Sequence, residues 1–139
     1  NNILAKIEAK NRGAYEAIML DYIGHIAEGT ISNIFFVKEQ ILYTPSVSVG
    51  ILNGITRNIV LEAAGKLGIG IKEGKFRKED LYHAEEVFLS NTTMEVMPVA
   101  KVDDVKIGTK PGKITRQLRA AYKKKVARYI KQLTTEALS

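Results

Sequence analysis

Three short stretches hold residue types that can grip an anion or carry a proton. In Gly54-Ile55-Thr56-Arg57, a glycine precedes a helical pattern that continues through Asn58-Ile59-Val60-Leu61-Glu62-Ala63-Ala64. The first amides of a helix have no intrahelical acceptor and lie at the positive end of its dipole. The N–H groups of Ile55 and Thr56 therefore form a ready anion site, above all for phosphate, and the Thr56 hydroxyl adds a donor. In Glu86 to Val99, the polar Asn91-Thr92-Thr93 separates two apolar runs. A Thr92 hydroxyl in such a loop can point inwards, and consecutive amides at Thr92 and Thr93 make a small anion concavity. In Ala27-Glu28-Gly29-Thr30-Ile31-Ser32-Asn33, Glu28 closes a short strand just before a glycine. Taken singly, each has an ordinary counterpart: a helix cap, a β-turn and a surface glutamate.

The elements that must position these residues follow from local pattern. Residues from about Asn2 to Asn11 read as helix closed by Gly13, and Glu16 to Leu20 as a short strand. Asp21 to Gly24 is a turn, followed by strands over His25–Glu28 and Asn33–Lys38. Glu39-Gln40 turns the chain into Ile41–Thr44, which ends at Pro45 because proline lacks a donor. A loop over Ser46–Asn53 leads to a helix over Ile55–Leu67, ended by Gly68. Ile69–Phe76 is strand-like, and Lys78–His83 is a short helix with Glu79 and Asp80 in its first turn. Strands over Glu86–Ser90 and Met94–Val99 precede strand pieces around the turn Asp103-Asp104. Pro111-Gly112 then breaks the chain before a long final helix. Strands in the middle and helices at the ends predict a single α/β (α+β) domain over 1–139.

Composition narrows the classes. The chain has 139 residues, 45% of them hydrophobic, which suits one domain with a real core and not a disordered segment. There is no cysteine, so a disulfide framework, a cysteine metal site and a cysteine nucleophile are excluded. No apolar run approaches the roughly 20 residues that span a bilayer. No signal peptide is visible, and together these features point to the cytoplasm. The net charge of +6 gathers on the final helix, at Lys113, Arg116, Arg119, Lys123, Lys124, Lys125, Arg128 and Lys131. Tyr122, Val126, Tyr129 and Ile130 interleave there at helical spacing, so the pattern is that of a solvated face beside an apolar stripe. His25 and His83 suggest no metal site, and His25 is expected to be structural. Arg57 is expected to form a salt bridge or to cap nearby carbonyls.

Taken together, Glu28-Gly29-Thr30-Ile31-Ser32-Asn33, Leu52-Asn53-Gly54-Ile55-Thr56-Arg57 and Ser90-Asn91-Thr92-Thr93-Met94-Glu95-Val96 resemble the C-terminal domain of the fold-type IV pyridoxal-phosphate enzymes. That family includes branched-chain aminotransferases, D-amino-acid aminotransferases and aminodeoxychorismate lyase. The resemblance runs from Asn1 to about Tyr122. It implies a pseudo-barrel of mixed strands surrounded by helices, with pyridoxal 5′-phosphate as cofactor. Glu28 would keep the pyridine nitrogen protonated, which makes the ring a better electron sink. Leu52 would pack on the ring. Ile55, Thr56 and Thr92 would hold the phosphate, with Gly54 making a tight turn in the cofactor-binding loop just before them, and Thr92 and Thr93 would receive the substrate's α-carboxylate. Asn33 would tie down the start of its strand.

The resemblance places the lysine that bonds the cofactor upstream of Asn1, and Lys6 matches a non-catalytic position. The family's small N-terminal domain, which supplies an arginine to the phosphate site, would also lie outside this chain. The chain alone is therefore expected to be inactive, and its parent to be a homodimeric aminotransferase. The expected reaction passes an amino group from an amino acid, branched-chain in the leading case, to a 2-oxo acid such as 2-oxoglutarate. Ser32 departs from the glutamate of many branched-chain enzymes and matches D-amino-acid aminotransferases, which keeps that activity and the lyase open. A non-catalytic module binding phosphate or nucleic acid is the distant alternative.

Overall fold

The computed structural model describes residues 16–108 and 110–138. The helix expected over Asn2–Asn11, its closing Gly13, and Lys6 lie outside the described residues. The chain runs β1 (Ile18–Leu20), β2 (Ile26–Gly29), β3 (Asn33–Lys38) and β4 (Ile41–Pro45), then a 3-10 turn at Val47–Val49. It continues as α1 (Ile55–Lys66), β5 (Gly70–Gly74), α2 (Lys78–Tyr82), β6 (Glu86–Asn91) and β7 (Glu95–Pro98). The ribbon β8 (Lys101–Val102) and β9 (Val105–Lys106) precedes α3 (Lys113–Leu138). This mixed α/β architecture is the one the resemblance implies.

A five-stranded mixed sheet in the order β5-β4-β3-β6-β7 forms the centre. β3 pairs antiparallel with both β4 and β6, while β5 lies parallel to β4. Parallel neighbours cannot be joined by a tight turn, so the chain crosses over through α1 between them. The hairpin between β3 and β4 turns on Glu39 and Gln40, whose φ values of 51° and 65° suit the right-handed strand twist. The ribbon β1-β2 is a separate two-stranded sheet, anchored where the Ile26 N–H donates to the Phe76 carbonyl at 2.7 Å.

Because strand side chains alternate, β3 feeds two cores at once. Phe35 and Val37 face α1 and α3, where they join Phe88, Val60, Ala64, Ile114, Leu118 and Tyr122. Ile34 and Phe36 face the other way and join Ile26, Leu81, Val87 and Leu89. Phe35 stacks on its cross-strand partner Phe88 with ring centroids 4.8 Å apart. A strand buried on both faces fixes its register, since a one-residue slip would exchange the two cores. That fixed register sets Asn33 opposite Ser90 at one end of the sheet, beside the start of α1.

Candidate active site

A cleft of about 250 Å³ opens at this end of the sheet. Its walls come from four separate segments: the β2–β3 turn from Glu28 to Asn33, the loop before α1, the first turn of α1, and the end of β6. Glu28, Leu52, Gly54, Ile55, Thr56 and Thr92 all line it, together with Ser90 and Asn91.

Gly54 takes the N-cap position and has no side chain to cap the first turn of α1, so among the described residues no side-chain cap takes the leading amides. Gly54 has φ −67° and ψ 149°, which any residue can adopt. It serves instead by close approach, because a Cβ at this position would sit 2.7 Å from Asn33 Oδ1. Gly54 also closes the expected tight turn, its N–H donating to the Leu52 carbonyl at 3.1 Å. Thr56 is 3% exposed and its Oγ1 lies 3.4 Å from the Tyr122 hydroxyl of α3. Leu52 and Ile55, 75% and 73% exposed, stand at the lip as bare apolar surface.

The loop between β4 and α1 is fastened from several sides. Asn33 Nδ2 donates to the Leu52 carbonyl at 3.1 Å, so this side chain ties the start of its strand to the loop. The Leu52 amide in turn donates to Glu28 Oε2 at 3.4 Å. Arg57, 2% exposed, donates to Asn53 Oδ1, to the Pro45 carbonyl and to Glu73 Oε1, at 3.2, 3.2 and 2.5 Å. It makes the salt bridge and carbonyl cap expected of it.

Glu28 is the one charged group lining the cleft among the described residues. Partial burial raises its carboxyl pKa above the usual glutamate range, and the Leu52 amide works against that rise. The adjoining turn is organised by Glu16, whose carboxylate accepts from the hydroxyls of Thr30 and Ser32 and from the amides of Thr30 and Ile31. Ser32 thereby points its hydroxyl at Glu16 from the cleft wall.

Thr93 stands apart from the other predicted residues. It does not line the cleft, and its N–H donates to Asn91 Oδ1 at 2.9 Å. Met94 N–H uses the same acceptor, so Asn91 shapes this turn from within. Ser90 was not singled out by pattern, yet it lines the cleft with a buried Oγ that has no hydrogen-bond partner. Its signal in the sequence is faint: one hydroxyl ending an otherwise apolar strand. His25 is bound to Asp21 at 3.1 Å and His83 to the Glu79 carbonyl at 2.8 Å, both away from the cleft.

A sequence model of the amino-transferase class IV family matches residues 1–102. The chain belongs to that family. It is 38% identical over 130 residues to aminodeoxychorismate lyase of Bacillus subtilis (strain 168), covering 94% of this chain and 44% of the relative. It is 43% identical over 123 residues to the branched-chain-amino-acid aminotransferase of Pseudomonas aeruginosa, covering 88% and 40%. The solved structure of the branched-chain aminotransferase from the thermophilic archaeon Thermoproteus uzoniensis with norvaline superposes with a TM-score of 0.84 at 40% identity. That match covers 88% of this chain and 40% of the other. Another solved branched-chain amino acid aminotransferase, that of T.th., holds pyridoxamine 5′-phosphate and superposes with a TM-score of 0.83 at 40% identity, over 87% of this chain and 40% of that one. The chain thus spans less than half the length of these relatives.

The cleft of this class IV chain fits a phosphorylated pyridine. Uncapped helix amides and an orphaned buried hydroxyl await an acceptor at one part of its wall. At another, the half-buried Glu28 carboxylate, which accepts only the Leu52 amide at 3.4 Å among the described residues, can take a positive partner. Apolar Leu52 lies between the two in the chain and offers surface for a ring.

Proposed function

We propose that the protein is a pyridoxal 5′-phosphate-dependent aminotransferase. It would move the amino group of an amino acid, branched-chain in the leading case, to a 2-oxo acid such as 2-oxoglutarate. What supports this most is one observation: six residues assigned from three separate motifs, Glu28, Leu52, Gly54, Ile55, Thr56 and Thr92, line a single cleft. When bound, the cofactor supplies an electron sink for charge developing on the substrate carbon. The residues of this chain do the holding. Ile55 and Thr56 amides with the Thr92 hydroxyl grip the phosphate from this chain's side, and the resemblance adds an arginine from the N-terminal domain. Glu28 keeps a proton on the ring nitrogen, and Leu52 holds the ring's orientation and excludes water. Thr92 receives the substrate carboxylate at the turn, because the Thr93 N–H is already given to Asn91 Oδ1 and Thr93 does not line the cleft. Proton transfer falls to a lysine that the resemblance puts ahead of Asn1. A homodimer in the cytoplasm is the proposed working form. No described helix is long and apolar enough to cross a membrane.

Aminodeoxychorismate lyase activity is the second candidate. It is favoured by the Bacillus subtilis relative of that name, matched over 94% of this chain. Ser32 at the cleft wall, where many branched-chain enzymes carry glutamate, also keeps D-amino-acid transfer in play. The test is an absorbance spectrum of the full-length protein with pyridoxal 5′-phosphate, before and after L-leucine. A visible band that bleaches with L-leucine is the expected result. A band unmoved by L-leucine but bleached by D-alanine reassigns the stereochemistry. Formation of 4-aminobenzoate from aminodeoxychorismate assigns the lyase. If no visible band forms, the cofactor assignment fails.

A further inference from the structure

Ser90 occupies a position where an apolar residue would serve the fold better. On β6, Val87 and Leu89 face the α2 side and Phe88 faces α1 and α3, so alternation turns Ser90 towards the α1 side. It pairs across the sheet with Asn33 and Val96. It is 1% exposed, lines the cleft, and its Oγ has no hydrogen-bond partner. A hydroxyl sealed from water without an acceptor weakens the fold, and most buried hydroxyls find one. A β-branched apolar side chain would fit a buried strand position without that cost.

The neighbouring polar groups do not satisfy it. Asn33 Nδ2 is committed to the Leu52 carbonyl, and Thr56 Oγ1 pairs with the Tyr122 hydroxyl. Glu28 receives the Leu52 amide. Ser90 Oγ makes no hydrogen bond to any of them, while the start of α1 in the same cleft attracts negative charge. These are two independent features of one site: a twelve-residue helix with an uncapped N-terminus, and a buried unpartnered hydroxyl on the same wall.

We propose that Ser90 is a further ligand-binding residue whose hydroxyl donates a hydrogen bond to the anion held at the start of α1. The inference rests on the cofactor assignment above, which makes that anion the phosphate of pyridoxal 5′-phosphate. Its consequence is a residue whose contributions to folding and to binding have opposite signs.

The test uses the full-length protein and its Ser90→Ala variant, which removes only the oxygen. Three quantities are read: the unliganded melting temperature, and the affinities for pyridoxal 5′-phosphate and for unphosphorylated pyridoxal. The variant should melt at or above the wild-type temperature without ligand. It should bind pyridoxal 5′-phosphate at least about tenfold more weakly, as expected for loss of one hydrogen bond to a charged group. Pyridoxal should bind both proteins alike. A lower unliganded melting temperature would make Ser90 a fold residue and overturn the proposal. Equal loss for the two ligands would remove the phosphate contact and overturn it too. Wild-type binding with an unchanged Ser90→Ala affinity sinks the Ser90 contact alone, whereas a wild type that binds neither ligand sinks the cofactor assignment with it.

Discussion

At the scale of single residues, Glu28 shows how a site opposes the stability of its own fold. Burial raises its carboxyl pKa above the value of the unfolded chain. Folding therefore favours the protonated form. That contribution is fully present below the ordinary glutamate pKa and is lost as pH rises through the raised one. At neutral pH the ionised carboxylate is held at a cost. Glu28→Gln, which keeps an acceptor for the Leu52 amide, is expected to raise the urea midpoint of the unliganded protein near pH 7. Near pH 4, where both forms are largely uncharged, it should leave the midpoint almost unchanged. On the proposed function, pyridoxal 5′-phosphate should reverse the sign, because the carboxylate would then face a protonated ring nitrogen. Cofactor affinity should fall by roughly ten- to a hundredfold, the range for losing a hydrogen bond between charged groups. A variant that loses stability at pH 7 and keeps its affinity would show Glu28 to be an ordinary surface carboxylate.

At the scale of elements, the loop between β4 and α1 is the part whose position decides whether the cleft exists. Its two ends are fixed by one buried side chain, since Arg57 binds the Pro45 carbonyl at the entry and Asn53 at the exit. The same guanidinium pairs with Glu73 on β5, which joins the crossover to the strand it leads to. Arg57→Met preserves much of the volume and removes every bond. The expected loss is about 1–3 kcal/mol of stability, mostly from the carbonyl and amide left unpaired, because Glu73 is half exposed and can turn to water. Hydrogen exchange should quicken over residues 47–54 more than in β3 or β6, and uniform quickening would count against the latch. None of this latch was legible in the sequence beyond the statement that Arg57 would bridge or cap. The elements themselves were legible, because their signals are local. The Asn33–Lys38 strand, the Glu39-Gln40 turn and the helix from Ile55 each follow from nearest-neighbour pattern. The parallel pairing of β5 with β4 and the tie from Asn33 to the Leu52 carbonyl depend on residues 19 or more apart in sequence, which periodicity does not report. The gathering of Glu28, Leu52, Ile55, Thr56 and Thr92 was legible only because three motifs resembled one family. Ser90 escaped because a serine at a strand end becomes conspicuous only when its missing partner can be seen.

At the scale of the whole molecule, stability is concentrated around β3 and β6 and thins out along α3. The helix contributes Ile114, Thr115, Leu118 and Tyr122 to the core, spaced so that one face packs on the sheet and α1. Its start is secured by Glu86, whose carboxylate accepts from the Thr115 amide at 2.8 Å and its hydroxyl at 2.7 Å. This is a negative charge at a helix N-terminus, where the dipole favours it. Beyond Val126 no described α3 residue is buried, and Tyr129, Ile130 and Leu133 stand exposed among the cations Arg128 and Lys131. The two halves should therefore respond very differently to removal. Leu118→Ala opens a cavity in the larger core and should cost about 2–5 kcal/mol. Deleting residues 129–139 removes mainly exposed groups and should change the unfolding free energy from urea titration by less than about 1 kcal/mol. The contrast is informative because composition alone would rank them the other way, three large apolar side chains against one. A deletion as costly as Leu118→Ala would mean that the exposed stripe is covered in solution. Sedimentation at increasing protein concentration would then show whether a second copy of the chain covers it, since a dimer held by that stripe would dissociate when residues 129–139 are gone.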